Sequence, residues 1–234
     1  MAYALLKAVH ILLVVSWLGM DIGVFCSTFW IRNRALSPET RVQIGRLAGL
    51  LDMGPRSSLI LMLAIGLVLT VMGQWGLGVL DDRAPLLVGA VVAVCLGWLW
   101  AVWQQYFAVH DLAAGHDLGR RAFFVRGFRR FDLYVRVALG VVLIALALRP
   151  EAFSVTWLSW KVALFGLVVL AGVGIRIVAD QFPIALGEIA RLGSTPGREA
   201  RLDGALLRAY PFVLGIWSAI VIMVVLAVAK PGGV

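Results

Sequence analysis

The sequence predicts an all-α, polytopic transmembrane helical bundle, and three observations carry that prediction. First, 62% of the 234 residues are hydrophobic and only 15% are charged, against about 45–50% and about 25% in soluble domains. Second, the apolar residues gather into six runs of the length a bilayer requires, about 20 residues each. Third, the arginines fall in alternate connections between those runs. With a mean hydropathy of +0.95, a water-soluble fold of this size has too little interior for its apolar surface. An ordinary cytosolic enzyme and a disordered chain are excluded. So is a disulfide scaffold or zinc cluster, because Cys26 and Cys95 both sit inside apolar runs.

The first run, Tyr3 to Phe29, reads as a retained helix. It is too long for a signal peptide, carries Lys7 and His10 within it, and is not followed by a small-residue cleavage site. Tyr3, Lys7, His10, Val14, Trp17 and Asp21 recur at three- and four-residue steps, so they share one helical face. Between this run and the next, Val42, Leu47, Leu50 and Leu51 fall on one side of Arg41 to Met53, the pattern of a helix lying in the interface. The second run is Ser58 to Leu80 and includes Met72. The third is Pro85 to Val109, with Trp98, Trp100 and Trp103 as packing or interface residues. His110-Asp111 and His116-Asp117 follow it; six residues apart, they do not align on a helix and read as a solvated loop.

Ala122 to Tyr134 interleaves Phe123, Phe124, Phe128 and Phe131 with Arg126, Arg129 and Arg130, the composition of a headgroup anchor. The fourth run, Leu133 to Leu148, is the shortest. The fifth, Val155 to Ala179, carries Trp157, Trp160 and Lys161; the sixth, Tyr210 to Ala229, carries Met223. The whole chain, 1–234, reads as a single transmembrane domain.

The net charge of +8 and pI near 10.3 are a topology signal and imply no nucleic-acid partner. Arginines crowd the connections after the first, third and fifth runs, while the others hold only Arg83 and Arg149. Positive loops stay in the cytoplasm, so both termini are expected outside a bacterial inner (plasma) membrane, with lipid as the first partner. Arg136 and Arg176, near the inner boundary, are expected to reach lipid phosphates.

Ionisable groups inside spans are costly and each is a functional candidate. His10 and Lys161 lie about 10 Å and about 9 Å below the same boundary at 1.5 Å per residue. An imidazole there suits haem iron, copper or zinc. Met72 and Met223 fall at comparable depth as further metal ligands. Lys7, Lys161, Arg83 and Arg149 are candidates to neutralise haem propionates, and Trp17 and Trp157 to pack on the porphyrin. Lys161 and Asp21 are the candidate catalytic groups: the first for an anionic substrate or a proton, the second for proton relay. The structural alternatives are a hydrogen-bonded His, a snorkelling Lys and methionines that only pack.

Leu6-Lys7-Ala8-Val9-His10-Ile11, with Trp17 and Gly19 beyond, resembles the first helix of the HemJ-type protoporphyrinogen oxidases. It is also similar to the CopD copper-resistance membrane domain and the membrane part of PuuD-type urate oxidases. Trp157-Leu158-Ser159-Trp160-Lys161-Val162-Ala163-Leu164 resembles the Trp-Leu-x-x-Lys-x-x-Leu motif of the same superfamily. The resemblance covers about a fifth of the chain, and HemJ-type proteins have fewer spans. It implies haem b as cofactor and functional roles for His10 and Lys161. No Cys-x-x-Cys-His motif is present, which sets the chain apart from the haem c arrangement of the urate oxidases. Three functions stay open. One is a haem-b redox protein that passes electrons to quinone or oxidises a porphyrin-like substrate. The second is copper transport of CopD type. The third is a non-catalytic subunit docking a soluble partner. A homo-oligomer is compatible with each.

Overall fold

The computed structural model describes residues 1–76, 83–113 and 119–231. Among them the regular structure is helical: α1 (Ala2–Arg32), α2 (Pro38–Leu51), α3 (Met53–Met72), α4 (Ala84–Ala113), α5 (Arg120–Ala147), α6 (Thr156–Val178), α7 (Gln181–Leu192) and α8 (Pro196–Ala229). The starts of α2 and α8 are written locally. Ser37 and Thr195 each accept a backbone N–H three residues on, and Pro38 and Pro196 occupy the first helical position, where a missing N–H is harmless.

Five stretches are long and apolar enough to cross a membrane: Ala2–Arg32, Pro38–Met72, Ala84–Val109, Thr156–Leu192 and Pro196–Ala229. The fourth sequence run lies in α5, whose last 18 residues carry Arg130, Asp132 and Arg136. Several boundaries differ from the sequence reading. The second run stops as a helix at Met72, capped by Gly73, and not at Leu80; residues 77–82 lie outside the described residues. The Phe/Arg stretch from Ala122 forms the opening turns of α5, continuous with the fourth run because no proline interrupts it. Likewise α8 begins at Pro196, 14 residues before Tyr210.

The long helices pack in cyclic order: α1 on α3, α3 on α4, α4 on α5, α5 on α6, α6 on α8, and α8 back on α1. The main core fills the centre with Trp17, Met53, Ile60, Cys95, Val102, Val168, Val169, Ile216, Ile220 and Met223. Helices α5 and α6 are in close contact at Gly140 and Gly166. A Cβ on Gly166 would lie 2.8 Å from the Gly140 carbonyl oxygen, so the contact needs small residues on both sides. A second core of Ile31, Ala185, Leu186, Ile189, Leu202 and Leu206 joins α7 and α8 to the end of α1.

Candidate functional site

Antiparallel packing of α1 on α3 sets His10 against Gly66, where a Cβ would lie 3.8 Å from the imidazole Cε1. The same register carries Tyr3 to Trp75, ring centroids 5.9 Å apart and edge to face. Trp75 meets Trp157 at 5.2 Å, again edge to face. The Lys161 ammonium, one turn further along α6, lies 5.6 Å from the Trp157 ring. The Lys230 ammonium sits 5.7 Å from the Trp75 ring. Above this chamber the turns after α3 and α5 are stitched together. Ser154 N donates to the Trp75 carbonyl at 2.9 Å, and Gly76 pairs with Phe153. A Cβ on Gly76 would lie 2.5 Å from the Ala152 carbonyl oxygen, so only glycine lets the turns meet.

Two buried side-chain atoms have no hydrogen-bond partner among the described residues: His10 Nδ1 and Trp157 Nε1. The first lies on α1 facing α3, and the second on α6 beside Trp75. Lys161, also partly buried, makes no ion pair with a described carboxylate.

The other sequence candidates are dispersed. Trp17 is buried in the main core and Met223 beside it. Met72 is 46% exposed and lies six residues, about 9 Å, outward from Gly66 along α3; it is not brought to His10. Lys7, Arg83 and Arg149 are exposed. Asp21 accepts the Trp217 indole N–H at 2.7 Å. His116 and the His110 side chain lie outside the described residues.

The half of the bundle away from His10 holds two buried carboxylates that the sequence does not mark, Asp132 and Glu199. Asp132 is 3% exposed. It accepts the Trp98 indole N–H at 2.6 Å, the Arg136 Nε at 3.1 Å, and Arg176 Nη1. Arg136 also stacks 5.1 Å from the Trp98 ring. Arg136 and Arg176 therefore neutralise a buried carboxylate, correcting the expectation that they reach lipid phosphates. At the inner end, Arg41 is 1% exposed, so α2 does not turn it toward water. Its Nη1 and Nη2 donate to the two Glu199 oxygens at 2.7 and 2.8 Å, and its Nε to the Ile31 carbonyl at 2.6 Å. Ser194 adds a donor to Glu199 at 2.7 Å.

No protein-family model matches this chain, and no match was found among curated proteins or among solved structures. The likeness to the HemJ-type superfamily rests on the two motifs alone.

The donor set of the outer chamber can be tested against the haem that those motifs imply. Among the described residues no group of three or more His, Cys, Asp or Glu converges, so side chains of those kinds do not form a closed metal site. Haem iron, held by four porphyrin nitrogens, asks the protein for only one or two axial ligands. His10 offers a buried, unbonded ring nitrogen. Trp157 offers an unbonded indole N–H and Lys161 a cation beside it, the groups a carboxylate side arm requires. These are donors of the kinds such a group uses.

Proposed function

We propose that this chain is a multi-pass protein of a bacterial inner membrane that binds haem b in the outer chamber and takes part in redox chemistry there. The observation that carries the reading is the pair of buried, unpartnered atoms, His10 Nδ1 and Trp157 Nε1, the second with the Lys161 ammonium beside its ring. Buried polar groups are nearly always satisfied, and an orphan costs about 1–3 kcal/mol. Two orphans together are best explained by a ligand that bonds to both.

Haem, when bound, supplies one-electron chemistry whose potential the surroundings tune. In this reading the chain's residues do the rest. His10 is the protein ligand to the iron. Lys161 and the Trp157 N–H hold an anionic side arm. Tyr3, Trp75 and the stitched turns limit water entry from outside, and Lys230 and Arg149 add positive charge at the mouth. Electrons pass to or from a membrane quinone or a porphyrin-like substrate.

The proposal includes six spans with both termini outside. The arginine-rich ends of α1, α3, α5, α6 and α8 lie on one side, which the positive-inside preference makes cytoplasmic. The charges of α5 are compatible with spanning because Asp132, Arg136 and Arg176 compensate one another.

The test is an absorption spectrum of protein expressed with haem supplied. A Soret band is expected in the wild type and in Cys95→Ala, and none in His10→Ala. A wild-type protein without that band, or a His10→Ala variant that keeps it, overturns the reading.

A further inference from the structure

Among the described residues, two that are not glycine have φ in the left-handed region: Gln74 at +56° and Lys230 at +41°. Both close helices. Gln74 follows the Gly73 cap of α3, where Trp75 N donates to the Thr70 carbonyl at 3.1 Å. Lys230 caps α8, its N–H bonded to the Leu226 carbonyl. Glycine adopts this conformation freely at helix ends, and other residues adopt it at a cost. Both positions meet at one ring: Gln74 precedes Trp75 in the chain, and the Lys230 ammonium lies 5.7 Å from the Trp75 centroid. Strained residues cluster at ligand clamps and active sites.

Two cations thus flank one pair of tryptophans. Trp75 and Trp157 meet edge to face at 5.2 Å. Lys230 lies beside the first ring and Lys161, at 5.6 Å, beside the second. Every ion pair among the described residues is made by an arginine, so neither lysine has a carboxylate partner there. Both lysines are half-buried. Two ammonium groups without a counter-charge suit a ligand that carries two carboxylates. Haem b carries two, and only Lys161 has so far been given one of them.

We propose, resting on the haem b reading, that Lys230 holds the second carboxylate arm as Lys161 holds the first, the Trp75–Trp157 pair spacing the two. Titration of the haem-free full chain in detergent with haem and with haem dimethyl ester, followed by the Soret band, tests it. Lys230→Gln should weaken haem about fivefold, the size of one partly exposed ion pair, and Lys230→Arg should keep the wild-type affinity. The ester, which has no charged arm, should bind the wild type and Lys230→Gln alike. Lys230→Gly separates a ligand role from a structural one. Glycine relieves the left-handed cap, so the haem-free thermal midpoint should not fall, while haem weakens as it does with glutamine. A lower haem-free midpoint in Lys230→Gly would make the lysine structural and overturn the assignment, as would an equal loss for haem and its ester. A wild type that develops no Soret band sinks the haem reading and this assignment together. A band that titrates identically in the wild type and Lys230→Gln sinks the assignment alone.

Discussion

In the inner half of the bundle, Asp132 is surrounded by three donors, from Trp98, Arg136 and Arg176, and Asp21 takes the Trp217 N–H. In the outer half, His10 Nδ1 and Trp157 Nε1 are buried beside Lys161 with nothing to bond among the described residues. Both regions put costly polar groups where apolar ones would pack. The inner set is explained by its partners: each group is there to satisfy another, and together they tie α4, α5 and α6. The outer set has no such explanation within the chain. Pairing therefore separates polar groups that serve the fold from polar groups that await a ligand, which burial or residue type alone does not do.

The largest expected effect comes from breaking the inner set. Asp132→Ala leaves Arg136 and Arg176 without their common counter-charge. Removing one member of a buried ion pair costs about 3–5 kcal/mol. Folded monodisperse protein should be largely lost in size-exclusion chromatography in detergent. Arg41→Ala should behave alike at the inner end, where Glu199 would be stranded. Replacing both members of that pair at once, Arg41→Met with Glu199→Leu, should recover most of the loss, because apolar residues of similar volume often substitute for a buried pair without penalty. A mild Asp132→Ala phenotype would remove the inner half of the comparison.

The outer chamber should respond with the opposite sign. His10→Leu removes an unsatisfied atom, so the haem-free protein is expected to gain about 1 kcal/mol, read as a higher midpoint of thermal unfolding in detergent. Trp157→Phe keeps an aromatic ring under Lys161 and should leave the haem-free midpoint nearly unchanged while lowering haem retention on dilution. A fall in the haem-free midpoint of several degrees in either variant would show these groups to be structural, like those of the inner set.

Sequence periodicity made the long helices legible because hydrophobic runs are local. The expectation of a similar depth for His10 and Lys161 rests on the same local counting from a boundary. Their aromatic surroundings were less accessible: Trp75 enters the chamber only because the α1–α3 register brings it to Tyr3. Asp132 was missed because the fourth run was begun at Leu133, one residue past it. Arg41 and Glu199 are 158 positions apart, and no local pattern marks such a pair. Asp21 reads in the sequence either as a proton carrier or as the partner of an N–H or an arginine, and Trp217, 196 residues away, supplies an indole N–H. What sequence could not supply was pairing, the property that distinguishes the two regions.

The finest test of that property is the pH response of the inner clamp. Glu199 sits in the first turn of α8, before the apolar stretch that begins near Tyr210. The hydrogen bonds from Arg41 hold its carboxyl below the ordinary glutamate value of 4.5; burial opposes them, and Ser194 and the charges of Arg41 and Arg34 add to the lowering. A carboxyl whose folded value is depressed binds its proton more readily when unfolded. Its contribution to stability is therefore complete above the unfolded value and is lost as pH falls through the folded one. Thermal midpoints of the wild type and Glu199→Gln, measured from about pH 6 down to about pH 3, should be furthest apart at the upper end and converge toward the lower. Other acids titrate in both proteins, so the difference between the curves isolates this group. Curves that stay parallel would mean that Arg41 does not favour the ionised form of Glu199, and the clamp would then owe its stability to packing in the Ile31, Leu186 and Leu202 core and not to charge.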